Sequence, residues 1–210
     1  MAGLTGRAGV FPGGTSDCYS TSPLPIAPGT RAFDTAGNEY VFASFGTAIS
    51  KGCWVILTDL HVASPIDDVS GPGRVGIVMS TSPTSNDSGW VQIYGLNIIA
   101  QTNAATDQVS AGIGLRPTSV ASTPLGVVDI VSAVSAAANI IHNAWITALT
   151  PAEAGISGAT DSSWPTSFTT AASSPAGAQH TGNVVGVFLN YPYLDGQEVD
   201  RFGTSSLITS

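Results

Sequence analysis

Thr30-Arg31-Ala32-Phe33-Asp34-Thr35-Ala36-Gly37-Asn38-Glu39-Tyr40-Val41-Phe42-Ala43-Ser44-Phe45 is the stretch on which the fold turns. Two runs carrying aliphatic and aromatic side chains, Arg31 to Phe33 and Glu39 to Phe45, flank the polar pentad Asp34 to Asn38. Gly37 can take the left-handed conformation that closes a bulged hairpin, so the spacing predicts two antiparallel strands. The same texture continues outward. Short runs of Val, Ile and aromatics are separated by Gly, Pro, Asn and Asp about every ten residues, which is an all-β rhythm.

Trp54 to Leu57 reads as the next strand, after a turn at Lys51-Gly52. Arg74 to Met79 and Gly89 to Tyr94 flank Ser80 to Ser88, a polar loop around Pro83. In the second of these strands Trp90, Gln92 and Tyr94 alternate with Val91 and Ile93, so both faces carry bulky groups that can pack at once. Ile98 to Ala100, Val109 to Leu115 and Leu125 to Val131 read as short strands. Ser132 to Asn139 is Ala-rich and reads as a short helix or loop before the apolar run Ile140 to Leu149. A last strand, Asn183 to Tyr191, precedes a turn at Asp195-Gly196. The expectation is an all-β protein, mainly an antiparallel β-barrel or β-sandwich, with an extended N-terminal arm and at most short helices.

Residues 1–29 hold Pro12, Pro23, Pro25 and Pro28 among six glycines, a composition that blocks both helix and central strand, so this segment is read as the arm. Residues 30–198 are read as one β-rich domain, and 199–210 as a polar tail. Within the domain, 150–182 is a Ser- and Thr-rich surface excursion around Trp164 and Phe168. Four isolated apolar residues of the arm, Phe11, Tyr19, Leu24 and Ile26, are the candidate interface anchors. Two readings stay open for them: docking on a neighbouring chain, or packing on their own domain.

Charged residues make up 10% of the 210, against roughly 25% in an average soluble domain. Ser, Thr, Ala and Gly stand in their place. Disorder is not the reason, because the chain carries four Trp, Val and Ile runs and a positive mean hydropathy. A neutral surface of small side chains suits packing against other protein. The single Lys51 and the arginines 7, 31, 74, 116 and 201 are scattered, and the net charge is −8. Nucleic-acid binding needs clustered cations, so no nucleic-acid partner is expected, and the same charge disfavours an anionic membrane surface. The N-terminus lacks the apolar stretch of a signal peptide and no segment approaches a membrane span, so a soluble protein made in the cytoplasm is expected. Cys18 and Cys53 form no CxxC and read as reduced, partly buried thiols, although their pairing is left open. The sequon Asn86-Asp87-Ser88 is read as chance.

No pattern carries catalysis, a cofactor or a metal. His61, His142 and His180 stand alone in their segments, without HExxH, HxH or a Cys cluster. Asp67-Asp68 and Asn86-Asp87 lie beside Gly and Ser, where such side chains bond their own backbone, so they read as turns and not as calcium ligands. There is no GxSxG for an α/β hydrolase. Cys53 enters a strand with no helix N-terminus to activate it, and Gly71 to Gly76 lacks the Lys-Ser/Thr of a phosphate cradle. Glu39, Glu153 and Glu198 with eleven Asp make some carboxylate pair inevitable in any fold, and no spacing singles one out. Trp90 with Tyr94, or Tyr191 with Tyr193, has the chemistry of a sugar platform, with packing the favoured reading of both.

Gly29 to Ala43, followed by Gly46 to Val55, resembles the opening hairpin of small capsid decoration, or cement, proteins of tailed bacteriophages. Gly89-Trp90-Val91-Gln92-Ile93-Tyr94-Gly95 and Val187-Phe188-Leu189-Asn190-Tyr191-Pro192-Tyr193 are similar to segments of the same family, and the matches together cover about a fifth of the chain. The resemblance implies a β-barrel or β-sandwich body on the outer surface of an icosahedral head, often a homotrimer at local three-fold positions. Its implied partner is the major capsid protein, whose neighbouring subunits it holds together. It carries over no catalytic residue. The long Pro-rich arm and the stretch 150–182 depart from the family pattern. Two other functions remain to be weighed against it: a head-fibre or tail component that meets the host surface, with glycan binding through exposed aromatics, and a carbohydrate-active enzyme using Asp and Glu.

Overall fold

The hairpin forms as its turn chemistry dictates. Arg31–Phe33 and Glu39–Phe45 pair antiparallel, Gly37 sits at φ +83°, and Asp34 organises the turn between them. Its carboxylate accepts from the backbone of Ala36 and Asn38, from Asn38 Nδ2 at 2.7 Å and from the Tyr40 hydroxyl at 2.7 Å. Partial burial works to raise the Asp34 pKa, but these hydrogen bonds outweigh it and hold the carboxyl below its usual value.

A computed structural model of the chain describes residues 5–6, 9–10, 14–20, 23–67, 70–81, 83–102, 114–117, 126–130, 140–147, 168–169, 179–180 and 183–194. Their strands in chain order are Thr5–Gly6 (β1), Gly9–Val10 (β2), Cys18–Tyr19 (β3), Arg31–Phe33 (β4), Glu39–Phe45 (β5), Trp54–Leu57 (β6), Val62–Pro65 (β7) and Gly73–Val78 (β8). Ser88–Thr102 (β9), Leu115–Pro117 (β10), Val128–Ile130 (β11), Ile141–Ile146 (β12), Phe168–Thr169 (β13), Gln179–His180 (β14) and Asn183–Leu194 (β15) complete them. The protein is strand-rich, with no helix among the described residues. One large mixed sheet holds every strand but β13 and β14, which pair with each other. Most pairings are antiparallel; β5 with β7 and β9 with β11 are parallel. The segments 132–139 and 199–210, and most of 150–182, lie outside the described residues.

Pairing runs in two circuits that share β9. The first passes from β5 to β7, β6, β8, β9 and back to β5. The second runs from β9 to β15, β12, β10, β11 and back to β9. The two-residue side-chain period of a strand then sorts the apolar residues into three clusters. Val41, Ala43, Phe45, Val55, Leu57, Ala63, Val78, Val91 and Ile93 come from all five strands of the first circuit and pack together. Trp54, Val75 and Ile77, at odd spacings from Val55 and Val78 on the same strands, point the other way, onto Leu115, Ile141, Ile146, Val187 and Leu189 of the second. Tyr40, Phe42 and Trp90 point outward from β5 and β9 into a third cluster. The two bulky faces read at residues 90–94 are therefore both used.

That third cluster is covered by the Pro-rich segment. Ile26 is 5% exposed within it, and Tyr19 and Leu24 pack against it. Tyr19 meets Phe42 edge-on at 5.8 Å, while β3 pairs with β9 and Ser80 Oγ donates to the Asp17 carbonyl at 2.7 Å. Of the two readings open for the anchors, packing on their own domain is the one realised at Ile26, which retains almost no surface for a neighbour. Phe11 lies outside the described residues.

β9 is longer than its sequence announces. Ser88 to Tyr94 pairs with β5, and Tyr94 to Thr102 with β15 and β11, so Gly89 to Tyr94 and Ile98 to Ala100 belong to one strand. The change of partner falls at Gly95, φ +98°. Side-chain amides repair the ladder there: the buried Gln92 donates from Nε2 to the carbonyls of Tyr94 and Leu96, the buried Asn97 from Nδ2 to Gln92 Oε1, and the Leu96 N–H donates to Oδ1 of the partly exposed Asn38. A Cβ at Gly95 would meet the Asn38 side chain in a conformation that L-residues avoid. Gly95→Ala is expected to cost about 1–3 kcal/mol, read as a lowered thermal unfolding midpoint.

Cys18 and Cys53 form no disulfide. Burial pushes the Cys53 thiol up to about 12, partly offset by a backbone hydrogen bond from Ser50. Burial, then the Asp87 charge and hydrogen bond, push Cys18 up to about 11. With so little thiolate at pH 8, both should react with a disulfide reagent about a hundredfold or more slowly than a thiol of ordinary pKa near 8.5. Denaturant should restore ordinary rates. Rapid native labelling of Cys53 would contradict its burial.

Candidate functional site

Three strands of the second circuit, β9, β15 and β12, present their outer face to solvent, and that face is aromatic. Trp145 stacks on Phe188 at 5.4 Å, Phe188 meets Tyr94 edge-on at 5.8 Å, and Tyr94 lies 5.2 Å from Tyr191. Beside them His142 stacks on Tyr193 at 4.8 Å. These contacts follow from register: Trp145 faces Phe188 and His142 faces Tyr193 across the β12–β15 ladder. Leu96 is the register partner of Phe188 on the other side. Trp145 is 40% exposed, Tyr191 49%, Tyr193 44% and Leu96 39%, so these large apolar groups are left half in water on one surface. A contiguous patch of this kind marks an interaction site more often than isolated exposed residues do.

The two exposed tyrosines owe their direction to a break in the strand. Between the pairs Ala144–Leu189 and His142–Tyr193, three residues of β15 oppose the single Asn143. Tyr191 at φ +51° and Asn143 at φ +59° absorb the mismatch. Strict alternation would send Tyr191 inward with Leu189. The break sends Asn190 and Tyr191 both outward, and Tyr193 after them, while Pro192 and Leu194 turn in. A left-handed conformation costs a non-glycine residue about 1–2 kcal/mol, so something must hold Tyr191 there.

Glu39 does so. Its side chain is 3% exposed; Oε1 accepts from Arg31 Nη1 and Oε2 from the Tyr191 hydroxyl, at 2.9 and 2.7 Å. The hydrogen bond to Glu39, followed by burial and the Glu39 charge, raises the Tyr191 pKa against a smaller opposing pull from Arg31. Phe33, 42% exposed, is the register partner of Glu39, and Glu39 of Tyr94, so one row crosses β4, β5 and β9 toward the aromatic face.

The other groups singled out in the sequence separate widely. His61 lies in the turn before β7, His180 in the β13–β14 pair, and His142 against Tyr193. No three His, Cys, Asp or Glu side chains converge as metal ligands among the described residues. Asp67 bonds with Ser70, and Asp87 accepts from the backbone and hydroxyl of Thr84, as turn residues do. Glu153 and Glu198 lie outside the described residues. Of the proposed sugar platforms, Trp90 is buried, whereas Tyr191 and Tyr193 are exposed together. Sequence reasoning missed Trp145; its alternation with Ala144 and Ile146 was the available signal. No described helix is long and apolar enough to cross a membrane.

Glu39→Gln should lower the Tyr191 pKa toward the ordinary tyrosine value in a spectrophotometric titration. It should also cost about 1 kcal/mol of unfolding free energy, because the buried Glu39 side chain loses its charge-assisted hydrogen bonds while the half-exposed Arg31 is still solvated. An unshifted Tyr191 titration would deny the coupling. No family model, curated protein or solved structure matches the chain.

Proposed function

We propose that this protein is a non-enzymatic virion component, a capsid decoration or cement protein. On this reading it binds the outer surface of a tailed-bacteriophage head and clamps neighbouring major capsid subunits. Its body is read as a small β-barrel, the closed first circuit, with the second circuit packed on its flank. The observation that carries the reading is the half-exposed aromatic face built from Trp145, Phe188, Tyr94, Tyr191 and Tyr193. Large aromatic rings held rigid on a sheet lose little entropy on docking and dominate protein–protein binding energy. The low charge and the resemblance of the hairpin, of Gly89 to Gly95 and of Val187 to Tyr193 to cement proteins point the same way. Packed DNA pushes capsid subunits apart, and a clamp that binds only the assembled shell stabilises that state by its binding free energy. Association as a homotrimer belongs to the same proposal.

A second reading rests on the flat, solvent-facing rings of Tyr193 and Trp145 with Asn143 and Asn190 exposed beside them, a combination suited to stacking and hydrogen bonding a sugar. It would make the protein a head-fibre or tail component that meets host glycans.

Cosedimentation with undecorated heads decides between them. Saturable binding at a fixed ratio to the capsid lattice is expected, with a trimer mass by light scattering. Trp145→Ala should weaken binding about tenfold or more without lowering the unfolding midpoint greatly, since its ring is partly exposed. Absence of head binding together with glycan-array binding lost on Tyr193→Ala would transfer the function to the second reading.

A further inference from the structure

Where β5, β6, β8 and β9 meet at one end of the first circuit, a small cleft of about 40 Å³ opens to solvent. Val41, Leu57 and Ile93, the outermost members of the circuit's interior cluster, line it with aliphatic surface. Arg31, Arg74 and Tyr191 also line it. Two of the chain's six cations therefore converge on one small apolar cleft in a protein of net charge −8. Arg31 spends one nitrogen on Glu39 and keeps its other N–H donors. Arg74, an exposed residue, has no carboxylate partner among the described residues. Two guanidinium charges less the Glu39 carboxylate leave one positive charge at the cleft.

We infer that this cleft is a recognition pocket for a carboxylate carried on an aliphatic stem, presented by an extended segment of the head-surface partner. The apolar lining takes the stem; the guanidinium fork of Arg74 takes the carboxylate, which its planar donors match. A single net positive charge fits a monoanion and leaves a dianionic phosphate half-neutralised. Continuity assigns the source. Arg74 is the register partner of Tyr193, and Tyr191 belongs both to the cleft and to the aromatic face, so a chain lying on that face passes over the pocket. The identity of the partner rests on the head-binding reading, whereas the chemistry of the pocket does not.

The full-length protein is titrated with isocaproate and, separately, with isocaproamide, while backbone amide shifts of Val41, Ile93 and Tyr191 are followed by NMR. Saturable shifts with the carboxylate, at least about tenfold weaker binding of the amide, and a similar loss in Arg74→Gln are expected. Equal binding of acid and amide, or no shift at these residues, overturns the pocket. Arg74→Lys serves if Arg74→Gln fails to fold; it keeps the charge without the fork and should bind with intermediate affinity, and wild-type affinity would overturn the assignment to the guanidinium. Head cosedimentation of the Arg74 variant supplies the other arm. Weakened head binding supports the partner, and wild-type head binding overturns it. Heads that fail to bind even the wild-type protein defeat the proposed function, and the isocaproate titration then still decides the pocket.

Discussion

One strand must serve two circuits of pairing within one sheet, and the rest of the molecule follows from how β9 manages it. A buried strand has two edges of backbone donors and acceptors, and leaving any unpaired costs more than a hydrogen bond gains. From Ser88 to Tyr94 those edges belong to β5 on one side and to β3 and then β8 on the other; beyond Tyr94 they pass to β15 and, at the end, β11. The exchange needs a bend, and a bend breaks the ladder. Gly95 supplies the conformation, while Asn38, Gln92 and Asn97 supply the missing hydrogen bonds from side chains. Asn38 comes from the β4–β5 turn, so that hairpin and the bend in β9 stabilise each other.

Gln101 closes the far end of the same strand. Its side chain, 1% exposed, donates to the Lys51 carbonyl and accepts weakly from the Cys53 thiol, while its backbone carbonyl accepts from the Trp54 indole. The start of β6 is thereby tied to the second circuit, and Trp54 enters the cluster between the two. Burying a ring of that size contributes about 2–3 kcal/mol in area terms, but only because its N–H finds a partner. Polar side chains thus decide where the apolar ones meet.

The sequence discloses these features unequally. The hairpin at Arg31 to Phe45 was legible because turn chemistry and alternation agree there, and β6, β8 and the start of β9 follow the same two rules. β7 is not legible in the sequence because a proline ordinarily breaks a strand, yet Pro65 ends this one, where a missing N–H is tolerated. The length of β9 was hidden by Gly95, which reads as a stop and acts as a bend. Pro23 to Pro28 correctly argued against regular structure between them but could not say what Ile26 packs on, since that depends on Phe42 and Trp90 being outward on two other strands. The exposed tyrosines were visible as a pair, but their outward direction comes from the three-against-one mismatch with Asn143, a property of register that no single segment carries. Glu39 looked like one carboxylate among many; its role depends on Arg31 and on Tyr191, 152 positions away.

Tyr191 gathers these threads, because backbone strain at an exposed aromatic persists only when the surroundings over-determine it. The Glu39 carboxylate holds the hydroxyl and the Tyr94 ring lies against the Tyr191 ring, so the residue is held from two sides while 49% of its surface stays in water. Packing alone would be better served by turning the ring inward with Leu189. A rigid, half-wet ring has already surrendered the rotamer freedom that docking would otherwise cost, about 0.5–1.5 kcal/mol per side chain. On the head-surface reading proposed above, that saving is repeated at every identical position of a lattice. On that same reading, copies joined as a trimer would bind neighbouring subunits with an effective concentration set by geometry, so that modest individual contacts would add to a firm clamp. Such a design favours a few preorganised aromatics on a neutral surface over a large charged interface, whose strength would vary with ionic strength.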